Sequence, residues 1–145
     1  MKRIRIVGLV ILTGMILMAC SSSADSMATS GFGQAVPVDD IGEYTDITPQ
    51  ELQKMLEEDD FVFVNVHVPY EGEIPNTDAF IAFDEVDARL AEFPPEKDAK
   101  IVLYCRSGSM SAMAARTLVQ AGFTNVFNLD GGFRAWSQSG FEFVQ

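Results

Sequence analysis

Short runs of β-branched and aromatic residues recur along this chain, separated by stretches of helical period, and that alternation limits its fold more than any other feature. Phe61-Val62-Phe63-Val64-Asn65-Val66 shows almost no polar alternation, the pattern of a strand covered on both faces. Ile101-Val102-Leu103-Tyr104 is a second such run, Asn125 to Leu129 a third, and Phe80 to Phe83 a shorter fourth. Thr48-Pro49-Gln50-Glu51 is a capping box with proline at the first helical position. Leu52, Met55 and Leu56 follow at i, i+3 and i+4, so the spacing predicts a helix over 49–58. Asp84 is placed to cap a helix over 85–92 that Pro94-Pro95 would end. Ser109 to Ala121 reads as a helix stopped by Gly122, and Phe133 to Gln138 as a short closing helix. Strands and helices in this order imply an α/β fold, a parallel sheet flanked by helices on both faces. There is no internal repeat.

Composition removes several function classes. With 145 residues, 48% of them hydrophobic, the chain holds one ordinary domain with a buried core. Its 21 acidic against 10 basic residues, for a net charge of −11, argue against nucleic-acid binding, which needs positive charge against phosphate. Two cysteines and one histidine cannot complete a four-ligand Cys/His zinc site, nor staple a disulfide scaffold.

The first residues read as an export signal. Lys2, Arg3 and Arg5 precede an apolar run from Ile6 to Ala19, about 21 Å long as a helix at roughly 1.5 Å per residue. That is short of the roughly 30 Å hydrocarbon core, so a signal segment is expected over 1–19 rather than a permanent span. Leu17-Met18-Ala19-Cys20 followed by Ser21-Ser22-Ser23 resembles a bacterial lipoprotein lipobox. The resemblance implies cleavage after Ala19, lipid (diacylglycerol and an acyl chain such as palmitate) on Cys20, and an exported protein anchored at a cell-envelope membrane. Losing Lys2, Arg3 and Arg5 makes the net charge of −11 three units more negative. Ser21 to about Gly42 is rich in Ser, Ala, Gly and Asp without a sustained apolar period, so residues 20–45 read as a flexible tether. The alternative is an extended arm in which Phe32, Val36 and Val38 dock on the domain of residues 46–145.

Chemistry is expected at one strand-to-helix junction. Cys105-Arg106-Ser107-Gly108-Ser109-Met110-Ser111 leaves a buried strand and opens a helix. Open α/β sheets bind ligands beyond the carboxyl ends of their strands. A tight loop there turns successive N–H groups inward as an anion nest, and the helix adds its positive dipole end. Both favour a thiolate over a thiol. Gly108 permits the backbone such a loop needs. With Cys20 lipidated, Cys105 has no disulfide partner within the chain. A Cys-x5-Arg phosphate loop would need arginine at 111, where Ser111 stands.

Four segments carry a wider resemblance: Ile47-Thr48-Pro49-Gln50-Glu51-Leu52, Phe63-Val64-Asn65-Val66, Cys105-Arg106-Ser107-Gly108-Ser109 and Leu129-Asp130-Gly131-Gly132-Phe133-Arg134-Ala135-Trp136. From about residue 47 onward the chain resembles the rhodanese-like family. That implies a five-stranded parallel sheet flanked by helices and sulfur transfer through a persulfide on Cys105. Arg106, Ser107, Gly108, Ser109, Met110 and Ser111 would then bind the substrate, the N–H groups of the loop holding the persulfide. The six-residue loop from Cys105 to Met110 has the length this family associates with sulfur. Thiosulfate or a persulfide or polysulfide would donate and a thiol-type acceptor would receive, with no cofactor, no metal and a monomeric protein. The chain departs from the family at Asn65-Val66-His67, where Asp-x-Arg is usual, at Glu73, where histidine is usual, and at neutral Met110. Arg106 is the one cation left in the loop, although Arg134 could approach, and this shortage disfavours dianionic thiosulfate as donor. His67 reads as a packed loop residue, with proton handling as the alternative. Met110 and Met113, spaced i, i+3, read as packing rather than as copper ligands. A surface-tethered module that binds or senses persulfide without catalysis is the second functional reading.

Overall fold

The computed structural model describes residues 31–145. The signal segment and Cys20 lie outside the described residues. Strands β1 (Gln34–Val38) and β2 (Gly42–Ile47) are followed by helix α1 (Pro49–Glu58), β3 (Val62–Asn65) and β4 (Ala79–Phe80). Strand β5 (Ile101–Tyr104), helix α2 (Ser109–Gln120), β6 (Val126–Leu129) and α3 (Gly132–Gln138) complete the order. The strands form one sheet in the order β1-β2-β6-β5-β3-β4.

Five of these strands, β2 to β6, run parallel, and β1 joins the edge antiparallel to β2. The sheet is therefore six-stranded and mixed, where five parallel strands were expected. The extra strand also corrects the tether: residues 34–45 form a hairpin, turning at Asp39 with Ile41 N–H donating to Val38 O at 3.1 Å. Val38 is fully buried and Phe32 meets Phe127 edge-on at 6.3 Å, the docked arm that was the alternative. Pro37 hid this strand in the sequence. It is tolerated because an edge strand has one side without a ladder.

Successive residues of β5 split the core into two layers, as the period of two in a strand requires. Ile101, Leu103 and Cys105 pack with Ala114, Ala115 and Leu118 of α2. Val102 and Tyr104 face the other way, against Leu52 and Met55 of α1 and Phe133 and Trp136 of α3. All four residues of β5 are buried, which explains their unbroken apolar pattern.

The expected helix over 85–92 is instead a series of turns closing in a 3-10 segment, Leu90–Glu92. Arg89 N–H reaches both Glu85 O and Val86 O, and the next bonds span three residues. Bonds spanning three residues are those of a 3-10 turn, and Pro94, which follows Phe93, ends the segment. Helix α1 matches its prediction, and Thr48 and Glu51 close the capping box. Glu51 goes further, since its other carboxylate oxygen accepts Gly33 N–H at 2.8 Å and so fastens the arm.

Partial burial works against the Glu51 carboxylate, but hydrogen bonds from Thr48 and Gly33 outweigh it and hold its pKa below the ordinary value. A lowered carboxyl stabilises the fold above its unfolded pKa and loses that effect as pH falls through the folded one. Glu51→Gln is expected to destabilise the domain by about 1 kcal/mol at neutral pH, the scale of a lost cap. Urea titrations of both proteins should show the difference vanishing as pH drops through the carboxylate range.

Candidate active site

Cys105 follows the last residue of β5 at the carboxyl end of the sheet, with only 1% of its surface exposed. Immediately after it the chain bends through Gly108, whose φ of 89° opens α2. Gly108 N–H points back at the thiol sulfur, 3.1 Å from Sγ. The Ser111 hydroxyl lies 3.4 Å from the same sulfur and 3.1 Å from Gly108 O. Its one proton serves either acceptor, and a sulfur anion is the stronger claimant. Ser111 is itself fully buried. The first N–H groups of α2 have no partners within the helix and add positive potential there.

A second segment sets the loop from outside. Phe133 N–H donates to Cys105 O at 2.9 Å and Arg134 N–H to Arg106 O at 3.2 Å. This approach needs Gly132, whose φ is 58°. A Cβ there would overlap the Cys105 carbonyl and sit 2.6 Å from the Arg106 carbonyl carbon.

The remaining loop residues separate by role. Met110 packs against the α2-side core. Ser107 and Ser109 are exposed, and their hydroxyls make no hydrogen bond to the sulfur. Arg106 pairs with Glu71, its guanidinium 3.1 Å from the carboxylate. The other Glu71 oxygen is 3.4 Å from His67 Nε2. That approach lacks hydrogen-bond alignment, and both ring nitrogens of buried His67 are without a hydrogen-bond partner among the described residues. The ring packs edge-on against Phe133 at 5.5 Å. Asn65, fully buried, ties this segment together: it donates to Gly72 O at 2.9 Å and accepts from His67 N–H at 3.0 Å.

Glu71 and Tyr104 belong to the site without having stood out in the sequence. The Tyr104 hydroxyl accepts Ile74 N–H at 3.0 Å and bonds Thr77 Oγ1 at 2.6 Å. Burial, only partly offset by these bonds, pushes its pKa up to about 12. It anchors the 67–77 segment against the strand that carries Cys105. The i, i+4 spacing of His67 and Glu71 was the one local signal available for Glu71.

The family model for the rhodanese-like domain matches residues 48–139. The chain belongs to the rhodanese-like family. A protein of Allochromatium vinosum named a sulfurtransferase is 35% identical over 95 residues, covering 63% of this chain and 86% of its own. A thiosulfate sulfurtransferase of Pseudoalteromonas translucida is 34% identical over 104 residues, covering 68% and 94%. Among solved structures, a rhodanese-related protein of Thermoplasma volcanium superposes with a TM-score of 0.60 at 27% identity, over 70% of this chain and 98% of its own. A rhodanese-like domain protein of Staphylococcus aureus gives 0.56 at 31% identity, over 69% and 98%. The chain is thus a rhodanese-like α/β domain with relatives named as sulfurtransferases.

Gly132→Ala tests the rhodanese-like loop's dependence on close backbone packing. A left-handed alanine costs about 1–2 kcal/mol and overpacking about 1–3 kcal/mol more. The midpoint of thermal unfolding should fall by more than about 8 °C. Peptide mapping should show faster alkylation of Cys105 below that midpoint.

Proposed function

We propose that the protein is a rhodanese-type sulfurtransferase in which Cys105 carries the sulfur as a persulfide. The observation that carries this reading is the Cys105 sulfur held by Gly108 N–H and approached by the Ser111 hydroxyl at the start of α2. Donors aimed at a sulfur stabilise an anion there, both the attacking thiolate and the thiolate released later.

The Cys105 thiolate attacks the sulfane sulfur of the donor. A bond forms from Sγ to that sulfur, and the donor's own bond breaks with its electron pair leaving on sulfite or on a thiolate. In the second half, a nucleophilic acceptor attacks the outer sulfur and Sγ recovers the electron pair. Burial of Cys105 suits this division. Sγ stays shielded in the loop, while the added sulfur, one S–S bond of about 2 Å away, is the atom passed on. Arg106 is already paired with Glu71, which supports a persulfide or polysulfide as donor ahead of dianionic thiosulfate.

Exposure of the protein to polysulfide and to thiosulfate, followed by mass spectrometry, is the test. Cys105 should gain one sulfur atom that cyanide removes as thiocyanate, more readily from polysulfide, and Cys105→Ser should gain none while keeping its fold. Sulfur transfer retained by Cys105→Ser would exclude Cys105 as the carrier. No adduct from either donor would favour a binding or sensing module.

We also propose that Cys20 is lipidated after cleavage at Ala19, which would anchor the domain at a cell-envelope membrane. The run Ile6–Ala19 and the Leu17-Met18-Ala19-Cys20 pattern support this. In a bacterial host, a palmitate analogue should label the wild-type protein and move it to the membrane fraction, and Cys20→Ser should abolish both.

A further inference from the structure

Arg106, Glu71 and His67 form a row of charged and titratable groups at the edge of the Cys105 loop. Arg106 follows Cys105 directly, and its guanidinium meets one Glu71 oxygen at 3.1 Å. The other Glu71 oxygen lies 3.4 Å from His67 Nε2. Arg106 and Glu71 are partly open to solvent, whereas His67 is only 6% exposed. Neither nitrogen of its ring has a hydrogen-bond partner among the described residues. Buried polar groups are ordinarily satisfied, so packing against Phe133 does not by itself account for an imidazole at this position.

The groups around the ring leave Glu71 as its electrostatic partner. Phe133 of α3 meets it edge-on at 5.5 Å, with Arg134 the next residue of that helix. Asn65 of β3 is neutral and accepts the His67 backbone N–H. Tyr104 of β5 keeps its proton, since burial pushes its pKa up to about 12. Tyr70 and Glu73 share the segment of His67, yet among the described residues no carboxylate other than Glu71 pairs with the ring.

We infer that Glu71 is a specificity-determining residue for the sulfur donor, set against dianions because it cancels Arg106, and that His67 is the positioning residue whose protonation relieves this. The inference rests on the sulfur-transfer reading above. With a neutral imidazole, the charges of Arg106 and Glu71 offset each other and the row offers an anion no net attraction. A proton on His67 makes Glu71 the partner of two cations and leaves the row positive. Histidine is the side chain whose charge ordinarily changes between about pH 5 and 8. At a given distance the Coulomb energy of a dianion is twice that of a monoanion, so the row discriminates donors by charge.

Thiosulfate and methanethiosulfonate make the comparison, a dianion and a monoanion that deliver the same atom. In each case Cys105 Sγ forms a bond to the outer sulfur. The donor's S–S bond breaks with its electron pair on sulfite or on methanesulfinate, and no other oxidant or reductant takes part. The reduced full chain is mixed with either donor, and sulfur addition to Cys105 is timed by mass spectrometry. The quantity read is the ratio of the two rate constants, thiosulfate over methanethiosulfonate, in which the titration of Cys105 itself cancels. At about pH 8, where an ordinary imidazole is neutral, Glu71→Gln should raise the ratio about tenfold and Arg106→Gln should lower it by a similar factor. The double variant should return it close to the wild-type value. Lowering the pH to about 5.5 should raise the wild-type ratio several-fold and leave that of His67→Gln flat. A purely structural role for Glu71 would slow both donors alike. A ratio unmoved by Glu71→Gln, or one that varies with pH as much in His67→Gln as in the wild type, would overturn the inference while sulfur transfer stands. Absence of added sulfur from thiosulfate, methanethiosulfonate and polysulfide alike would overturn the sulfur-transfer reading, and the inference with it.

Discussion

Two hydrogen bonds between α3 and the Cys105 loop give the active end of the sheet its polarity. The carbonyl groups of Cys105 and Arg106 are turned towards α3 by Phe133 N–H and Arg134 N–H. In a planar trans peptide the C=O and the following N–H point in opposite directions. Fixing those carbonyls outward therefore aims the N–H groups of Arg106 and Ser107 away from α3. Gly132 lets the two backbones come close enough for this, and the buried Trp136 secures α3 beneath them, its indole N–H donating to Glu142 O at 2.7 Å. The closing helix thus acts on the reactive loop through main-chain geometry alone.

Charge in this protein is arranged against its own average. A net charge of −11 repels anions at long range. At the Cys105 sulfur, by contrast, the nearest groups are the Gly108 N–H and the Ser111 hydroxyl at the start of α2, donors at contact distance. Arg106, the loop's own cation, is paired with Glu71, which stands beside His67 as well.

Much of the architecture was legible because it is local. Thr48 and Glu51 cap α1 within one turn, β5 is apolar at every position because both its faces are covered, and Gly122 ends α2 next to the packed Phe123. The Cys105-to-Ser111 loop and the Gly131-Gly132 turn also stood out, since few residue types tolerate those backbones. Segments without such signals were misread. Strand β1 carries Pro37 in a run of only five residues, and pairs because β2 offers it an edge. Residues 85–92 have helical composition but close in bonds three residues apart, as a 3-10 segment ahead of Pro94.

By itself, the sequence determined the order of strands and helices, the capped start of α1 and the position of the thiol at a strand end. Each depends on residues within a few positions of one another and on the steric limits of their backbones. The tertiary structure alone decided what surrounds that thiol. Arg106 meets Glu71 across 35 residues, and Gly33 meets Glu51 across 18. Such outcomes depend on which distant segments the sheet order brings together and on which charges then lie within reach, and no local pattern of residues encodes that.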